Sequence, residues 1–215
     1  MKKKLLVYCS IMMLALGLTV RAYSSGVTGG GEDSADLTIS YLIEVVSKSS
    51  KNEFGESYNG AVKTVFASDK SVRLRLVSLM RIQSVIIEVD EQADSSILFV
   101  NESGKKKAIQ KISSEHWNLL HKKYEGSKVV LLRERVIILG YECKMAKIVL
   151  TDDSFITVCY TDKIQHSLFQ HAEPMFKDIP GVVLKYEYQV KKSTLSYTAT
   201  QLSRNKIKKD VFDVK

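Results

Sequence analysis

The feature that most constrains the fold is an alternation of apolar and polar residues that recurs along much of the chain. Residues 36–46 read DLTISYLIEVV, and residues 182–190 read VVLKYEYQV. A period of two places successive side chains on opposite faces of a strand, so that one face is buried and the other contacts water. Such segments predict strands of an antiparallel sheet.

Further segments with this alternation, or with a short apolar run bounded by turn residues, predict more strands. They lie at 61–67, 71–79, 81–90, 96–101, 129–140, 141–150, 155–161 and 194–201, with a last strand near 206–214. The connections are short, which favours sequential antiparallel strands in an up-and-down sheet. The predicted fold class is therefore mainly β: a large curved antiparallel sheet, or half-open barrel, with one or two short helices over it.

Two segments have the spacing of helices. In residues 113–124, Ser113 is a candidate N-cap, and Trp117 begins an apolar stripe that packs the helix onto the sheet. In residues 162–171, Asp162 is a candidate N-cap for a second short helix.

The N-terminus has the pattern of a secretory signal peptide. Lysines at 2–4 precede an apolar run at 5–20, and cleavage between Ala22 and Tyr23 is predicted. An uncleaved anchor helix is the alternative interpretation. We therefore expect a signal peptide at 1–22, a flexible tether at 23–36, a single sheet domain at 37–215, and a periplasmic or secreted location.

The formal net charge of +8 owes much to the N-terminus. Cleavage after Ala22 leaves 28 basic and 24 acidic residues, a net charge of +4, which does not indicate a nucleic-acid partner. Lysine clusters occur at 105–107, 122–123, 191–192 and 208–209. They predict a solvated surface or, alternatively, contact with an anionic membrane.

After this cleavage two cysteines remain, Cys143 and Cys159, in neighbouring predicted strands. A four-residue TDDS turn pairs Leu150 with Phe155 and places Ala146 opposite Cys159. In this register Cys143 lies on the apolar face with Ile156, Val158 and Tyr160, while Cys159 lies on the other side of the sheet. A disulfide would need an odd loop length or a bulge, so a disulfide and a buried free Cys143 both stay open.

The Pro180-Gly181 pair is predicted to be a type II turn from which a strand starts, since proline fixes its own φ and glycine tolerates the positive φ that follows.

Two blocks of the sequence, ILGYECKMAKIVL…FITVCYTD and DIPGVVLKYEY, resemble the GLPGLI-type family of uncharacterised exported proteins of diderm bacteria. The matching positions are Gly140, Tyr141, Cys143, Lys144, Tyr160, Thr161, Pro180, Gly181, Leu184 and Glu187. Cys159 departs from the pattern, which often has an aromatic residue before the tyrosine.

The resemblance implies a fold similar to that of the periplasmic lipoprotein carriers, in which a helical lid covers an apolar cavity. We therefore expect an apolar ligand, either a lipid or the acyl chain of a lipoprotein. The alternative is a non-catalytic cell-envelope module that binds a protein partner. The expected lining residues are Trp117, Ile156, Val158, Tyr160, Leu184, Tyr186 and Tyr188.

No motif indicates catalysis, a metal or a cofactor. The four histidines form two pairs spaced five residues apart, unlike the four-residue spacing of helical zinc ligands. Asp152 and Asp153 fit a tight turn. We therefore expect a protein that is not an enzyme, with no catalytic residue, no metal site and no cofactor.

Overall fold

The computed structural model describes residues 36–47, 58–89, 95–190 and 193–214, which belong to one compact unit, Glu32–Lys215. The signal peptide, its cleavage site at Ala22 and Tyr23, and nearly all of the tether lie outside the described residues. The strands are β1 (Leu37–Ser47), β2 (Val62–Ala67), β3 (Ser71–Val77), β4 (Ile82–Glu88), β5 (Ser96–Ser103), β6 (Lys106–Ile112), β7 (Lys128–Ile138), β8 (Tyr141–Val149), β9 (Phe155–Thr161), β10 (Val182–Val190) and β11 (Ser193–Ser203).

All eleven strands form one antiparallel sheet in the order β6-β5-β4-β3-β2-β1-β11-β10-β9-β8-β7, which is not closed into a barrel. The mainly β fold class is thus confirmed. The first and last strands pair at the centre, and each begins or ends a meander that runs outward to an edge. Within the described residues, β6 and β7 are the edge strands.

Alternation decides which face of the sheet is buried. In β1 the side chains of Leu37, Ile39, Tyr41 and Ile43 are at most 1% exposed, while Val46 is 66% exposed. We call the face that carries these four buried side chains the inner face, and the opposite one the outer face. Directly paired residues share a face, so the register of β1 extends the inner face across both neighbouring strands.

The first helical cover is α1 (Ser114–His121), followed by the 3-10 turn η1 (Lys122–Tyr124). Ser113 caps α1 as predicted, because its hydroxyl accepts a hydrogen bond from the backbone N–H of His116 at 3.2 Å. Trp117 is the buried residue of this helix, and its ring lies 4.1 Å from that of His121. The prediction that Trp117 packs the helix onto the sheet is consistent with this burial.

The predicted helix at 162–171 is wrong. The chain forms turns there, and only α2 (Phe169–Ala172) and the 3-10 turn η2 (Pro174–Phe176) are helical. Asp162 does not cap a helix, because its carboxylate pairs with Lys144 at 2.6 Å. Buried side chains within the segment, among them Ile164 and Phe169, hold it against the core without a continuous helix.

Two strand predictions also differ from the structure. The sequence KKAIQKI was not predicted as a strand, yet it forms the edge strand β6, in which only Ile112 is buried. The strand predicted near 206–214 is wrong, since the chain there forms the 3-10 turn η3 (Lys209–Val211). The Arg73 guanidinium donates to the carbonyl of Val211 at 2.7 Å, which holds this C-terminal segment against the outer face instead of in the sheet.

Candidate functional site: a tyrosine stack beside an end groove

Three tyrosine rings lie nearly parallel on the inner face, and we call Tyr186, Tyr188 and Tyr197 the tyrosine stack. Tyr186 pairs directly with Tyr197 across β10 and β11, so their rings lie 4.4 Å apart at an angle of 9°. Tyr188, two residues further along β10, lies 5.9 Å from the ring of Tyr197. Its hydroxyl oxygen is 3.3 Å from that of Tyr197. The stack therefore follows from strand register alone.

A buried ion pair adjoins the stack. Lys63 lies opposite Tyr41 on the inner face, and its ammonium donates to the carboxylate of Glu173 and to the hydroxyl of Tyr186 at 2.8 Å. The side chains of Lys63 and Glu173 are only 12% and 3% exposed. The ammonium also lies 5.2–5.6 Å from the ring centres of Tyr41, Tyr186 and Tyr197, within the range of cation–π attraction.

This ion pair places charged groups next to Tyr186 of the tyrosine stack. Glu173 Oε2 accepts no hydrogen bond from the described residues, although it is buried. Burial, and then the charge of Glu173, raises the pKa of the Tyr41 and Tyr186 hydroxyls well above the ordinary value. Burial is also the main cause that raises the pKa of Tyr197. These phenols therefore remain protonated hydrogen-bond donors at neutral pH.

A groove of about 360 Å³ opens beside Tyr188, between η1 and the turn that joins β8 to β9. We call it the end groove. Its apolar walls are Tyr124, Leu150, Phe155, Ile156 and Tyr188, and its polar ones are Lys123, Asp152, Asp153, Ser154 and Gln189. Tyr188 belongs to both features, so the end groove leads from solvent to the tyrosine stack.

The structure brings only two of the seven expected lining residues, Ile156 and Tyr188, to the end groove. Tyr186 is in the stack behind it. Val158, Tyr160 and Leu184 are at most 1% exposed in the hydrophobic core. Trp117 is buried under α1 and does not line the groove.

Sequence reasoning missed Lys63 and Glu173. A signal for Lys63 was present, because it occupies an inward position between Ala61 and Val65 in the alternating segment AVKTVFA. An inward lysine in a strand needs an anionic partner. No local pattern could identify Glu173, which follows the short helix α2 and lies 110 residues further along the chain.

The predicted register of β8 and β9 is wrong by one residue. Asp153 adopts a left-handed backbone (φ 62°) after a turn closed by Asp153 N–H donating to Leu150 at 3.1 Å. The loop therefore has three residues, Thr151 to Asp153, and Val149, not Leu150, pairs with Phe155. Ala146 lies opposite Val158, so Ala146 and Ile148, not Cys143, share the inner face with Ile156 and Val158.

This odd loop length places Cys143 and Cys159 on the same face, contrary to the predicted register. Cys159 pairs with Met145, so Cys143 is its diagonal neighbour on the adjacent strand. Both cysteines are buried and free in the structure. Burial, and then the proximity of Cys159, raises the pKa of the Cys143 thiol to about 11.

The Pro180-Gly181 corner is tighter than the predicted type II turn. Gly181 N–H donates to the carbonyl of Ile179 at 2.9 Å, a bond that spans two residues and closes a γ-turn around Pro180. Gly181 has φ +140°, and a Cβ there would lie 2.2 Å from the carbonyl oxygen of Thr161. The corner is therefore where β10 starts against β9, and glycine is needed for close approach as well as for its φ.

The histidines do not come together. His116 and His171 are exposed, and His121 Nδ1 lies 2.8 Å from the carbonyl oxygen of Trp117. His166 is half-buried, and this burial lowers its pKa. Within the described ranges, no group of three His, Cys, Asp or Glu side chains is placed to hold a metal ion. In the same part of the chain, none of the helices has the length and apolar character to cross a membrane.

Comparisons with known proteins do not assign the chain to a family. No protein-family model matches the chain, and no curated protein matches it. Among solved structures, the chain is similar to PNGF-II with 14% identity and a TM-score of 0.43. That similarity covers 83% of this chain and 30% of the PNGF-II chain. The resemblance to the GLPGLI-type family stays a prediction.

Proposed function

We propose that the protein binds the apolar part of a lipid, or the acyl chain of a lipid-modified protein, in the end groove. The observation that carries this proposal is the continuity between the groove and the tyrosine stack through Tyr188. A volume of about 360 Å³ lies within the range of small-molecule sites. Burial of an acyl chain would contribute roughly 0.8 kcal/mol per methylene to the affinity.

The residues have distinct roles in this proposal. Leu150, Phe155 and Ile156 form the apolar walls, and the half-buried ring of Tyr188 forms the inner end. Lys123 and Asp152 lie at the polar border of the groove, where they would contact the ligand's headgroup. The proposed role is non-catalytic and belongs to the cell envelope, in keeping with the predicted signal peptide and the resemblance to exported proteins.

The experiment is lipid extraction from protein purified without detergent, followed by mass spectrometry. We expect a lipid in stoichiometric amount with the wild-type protein and a large loss with Tyr188→Ser. Tyr141→Ser is the matched control, since Tyr141 is also half-buried but lines a different groove with Thr38 and Thr200. Absence of lipid from the wild type, together with no binding of added fatty acid, would overturn the proposal.

A second candidate function, a protein-interaction module, is favoured by the edge strand β7. Val130, Leu131 and Ile137 on this strand are 48%, 66% and 78% exposed. Exposed apolar side chains on an unpaired strand edge favour pairing with another chain. A lipid-free protein that self-associates, and that becomes monomeric on Leu131→Lys, would favour this function over ligand binding.

A further inference from the structure

The turn between β3 and β4 exposes two large apolar side chains. Leu79 is 87% exposed and Met80 is 73% exposed, the first of these being the largest exposure among the large hydrophobic residues described. The turn itself is tight, because Ser78 N–H donates to the carbonyl of Arg81 at 3.0 Å. Leu79 and Met80 are therefore its two central residues and project beyond the end of the sheet.

The turn requires neither Leu79 nor Met80. Tight turns favour Gly, Asn, Asp, Pro or Ser, whose backbone or side chain supports the reversal of the chain. Leucine and methionine provide no such support, and at these exposures they contribute little to the core. Since no described residue covers them, two adjacent apolar side chains at this point favour contact with a surface outside the described part of the chain.

Four basic residues lie in this turn and in the neighbouring hairpin. Arg81 follows Met80 directly, and Lys105, Lys106 and Lys107 belong to the neighbouring β5–β6 hairpin. The two turns are joined, because the hydroxyl of Ser103 donates to the carbonyl of Met80 at 3.3 Å. Of these four positive charges, Lys107 has acidic neighbours: the carboxylate of Glu102 lies 3.8 Å from its ammonium, and Asp210 and Asp213 border the same groove. We call Leu79, Met80, Arg81 and residues 105–107 the tip surface.

We propose that the tip surface docks the protein on a lipid bilayer that carries anionic headgroups. Leu79 and Met80 enter the interfacial layer, while Arg81 and the three lysines contact the phosphates. An apolar tip combined with positive charge is the combination that binds peripheral proteins to such a surface. A bilayer accepts the two projecting side chains without a complementary pocket, which a protein partner would have to provide.

The tip surface and the end groove open at the same end of the sheet. β4 and β9 both begin at this end, because the strands alternate in direction and an odd number of strands separates the two. The proposal is independent of ligand binding in the end groove, since it uses none of the groove's residues. If both proposals hold, a docked protein would present its groove close to the membrane.

The test measures the binding of the whole protein to vesicles by flotation. The chain is expressed whole, purified from the compartment to which the cell delivers it, and checked for a common N-terminus by mass spectrometry. Vesicles of phosphatidylcholine alone are compared with vesicles of equal parts phosphatidylcholine and phosphatidylglycerol. We expect binding to the anionic vesicles, with an affinity that falls as salt is added.

The apolar part of the proposal predicts the effect of Leu79→Ser and Met80→Ser. Each substitution should weaken vesicle binding about tenfold or more, because a buried apolar side chain is lost from the interface. Leu119→Ser is the matched control. Leu119 is 63% exposed on α1, where it lines a groove with Ser113 and Glu115 and lies outside the tip surface. This control should bind vesicles like the wild type.

The charged part predicts that Lys105→Gln and Lys106→Gln each weaken binding about fivefold, while Lys163→Gln and Lys177→Gln at the other end do not. Substitutions of exposed side chains should leave folding intact. The urea unfolding midpoint of each variant checks this. No binding to anionic vesicles, equal binding to both vesicle types, or equal losses in the tip and control variants would overturn the proposal. Loss confined to the tip variants supports it.

Discussion

At the scale of residues, the buried pair of Lys63 and Glu173 shows how the inner face tolerates charge. The Lys63 ammonium donates to the Tyr186 hydroxyl and lies near three aromatic rings. Glu173 Oε2, by contrast, has no donor within the described residues. Removing one member of such a pair leaves the other charge buried without compensation. The pair should therefore matter far more to stability than an exposed ion pair does.

We expect Glu173→Gln to lower the free energy of unfolding by about 3 kcal/mol, because the Lys63 ammonium is left without a counter-charge. Glu142→Gln is the control and should cost about 0.5 kcal/mol or less, since its partner Arg135 is solvated. The double variant Lys63→Met with Glu173→Gln should recover most of the loss. Urea unfolding measures all three, and equal losses for Glu173→Gln and Glu142→Gln would contradict the prediction.

The Cys143 thiol should be slow to react. A pKa of about 11, against an ordinary 9.0, lowers the thiolate fraction at pH 8 about 100-fold. Between pH 9.0 and about pH 11, the Cys143 thiol keeps its proton in the folded protein and loses it in the unfolded protein. Its contribution to stability is therefore complete below pH 9.0 and is lost as the pH rises through about 11.

Alkylation with iodoacetamide, followed residue by residue by mass spectrometry, measures this reactivity. Both cysteines should be alkylated slowly in the native protein and rapidly in urea without reductant. Resistance to alkylation in urea that disappears on addition of reductant would reveal a disulfide and contradict the free state. Cys143→Ala should make the free energy of unfolding fall less steeply between pH 9 and pH 11, because the variant lacks the thiol that loses its proton on unfolding in this range.

At the scale of elements, the turns set the register and so decide which residues meet. A three-residue loop with Asp153 in the left-handed region shifts β8 against β9 by one residue relative to a four-residue loop. This shift reverses the faces of Cys143 and Met145. The corner at Pro180 and Gly181 acts similarly, because it positions the start of β10 on Thr161 of β9.

Gly181→Ala should lower the free energy of unfolding by about 2–3 kcal/mol, because the new Cβ meets the Thr161 carbonyl and the residue keeps a φ that alanine avoids. Gly104→Ala is the matched control. Gly104 also has positive φ (+57°), but a Cβ there meets nothing within 4 Å. The control should cost about 1 kcal/mol, the value for backbone strain alone. Equal costs in thermal or urea unfolding would show that close approach plays no part.

At the scale of the whole molecule, the sheet is covered on both faces. The inner face is covered by α1 and the segment with α2, and part of the outer face by the C-terminal segment. Ile86 and Val100 are each 1% exposed although they lie outside the main core cluster. Val100 lies with Asp210, Asp213 and Val214 around a groove that Arg73 also borders. The C-terminal segment is thus part of the domain's packing.

Truncation after Ser203 should expose Ile86 and Val100 and lower the free energy of unfolding by about 3–6 kcal/mol, at 1.5–3 kcal/mol for each buried aliphatic side chain. Amide hydrogen exchange should quicken in β3, β4 and β5 and stay unchanged in β8 and β9. Arg73→Ala in the whole chain is a milder test of the same contact, since it removes the bond to Val211. Unchanged exchange in β3–β5 would show that the segment does not protect this face.

The sequence alone determined the mainly β class, most of the strands, the Ser113 cap and the corner at Pro180, because these follow from side-chain periodicity and local backbone preference. It missed β6, since an edge strand rich in lysine buries only Ile112 and has no apolar alternation to detect. It also misassigned residues 162–171 and 206–214, whose conformations depend on contacts with distant strands. Only the tertiary structure decided that β1 pairs with β11, that Glu173 pairs with Lys63, and that Met80 contacts the β5–β6 hairpin. These contacts join residues far apart in the chain, and their free energy comes from burial and pairing that no local pattern encodes.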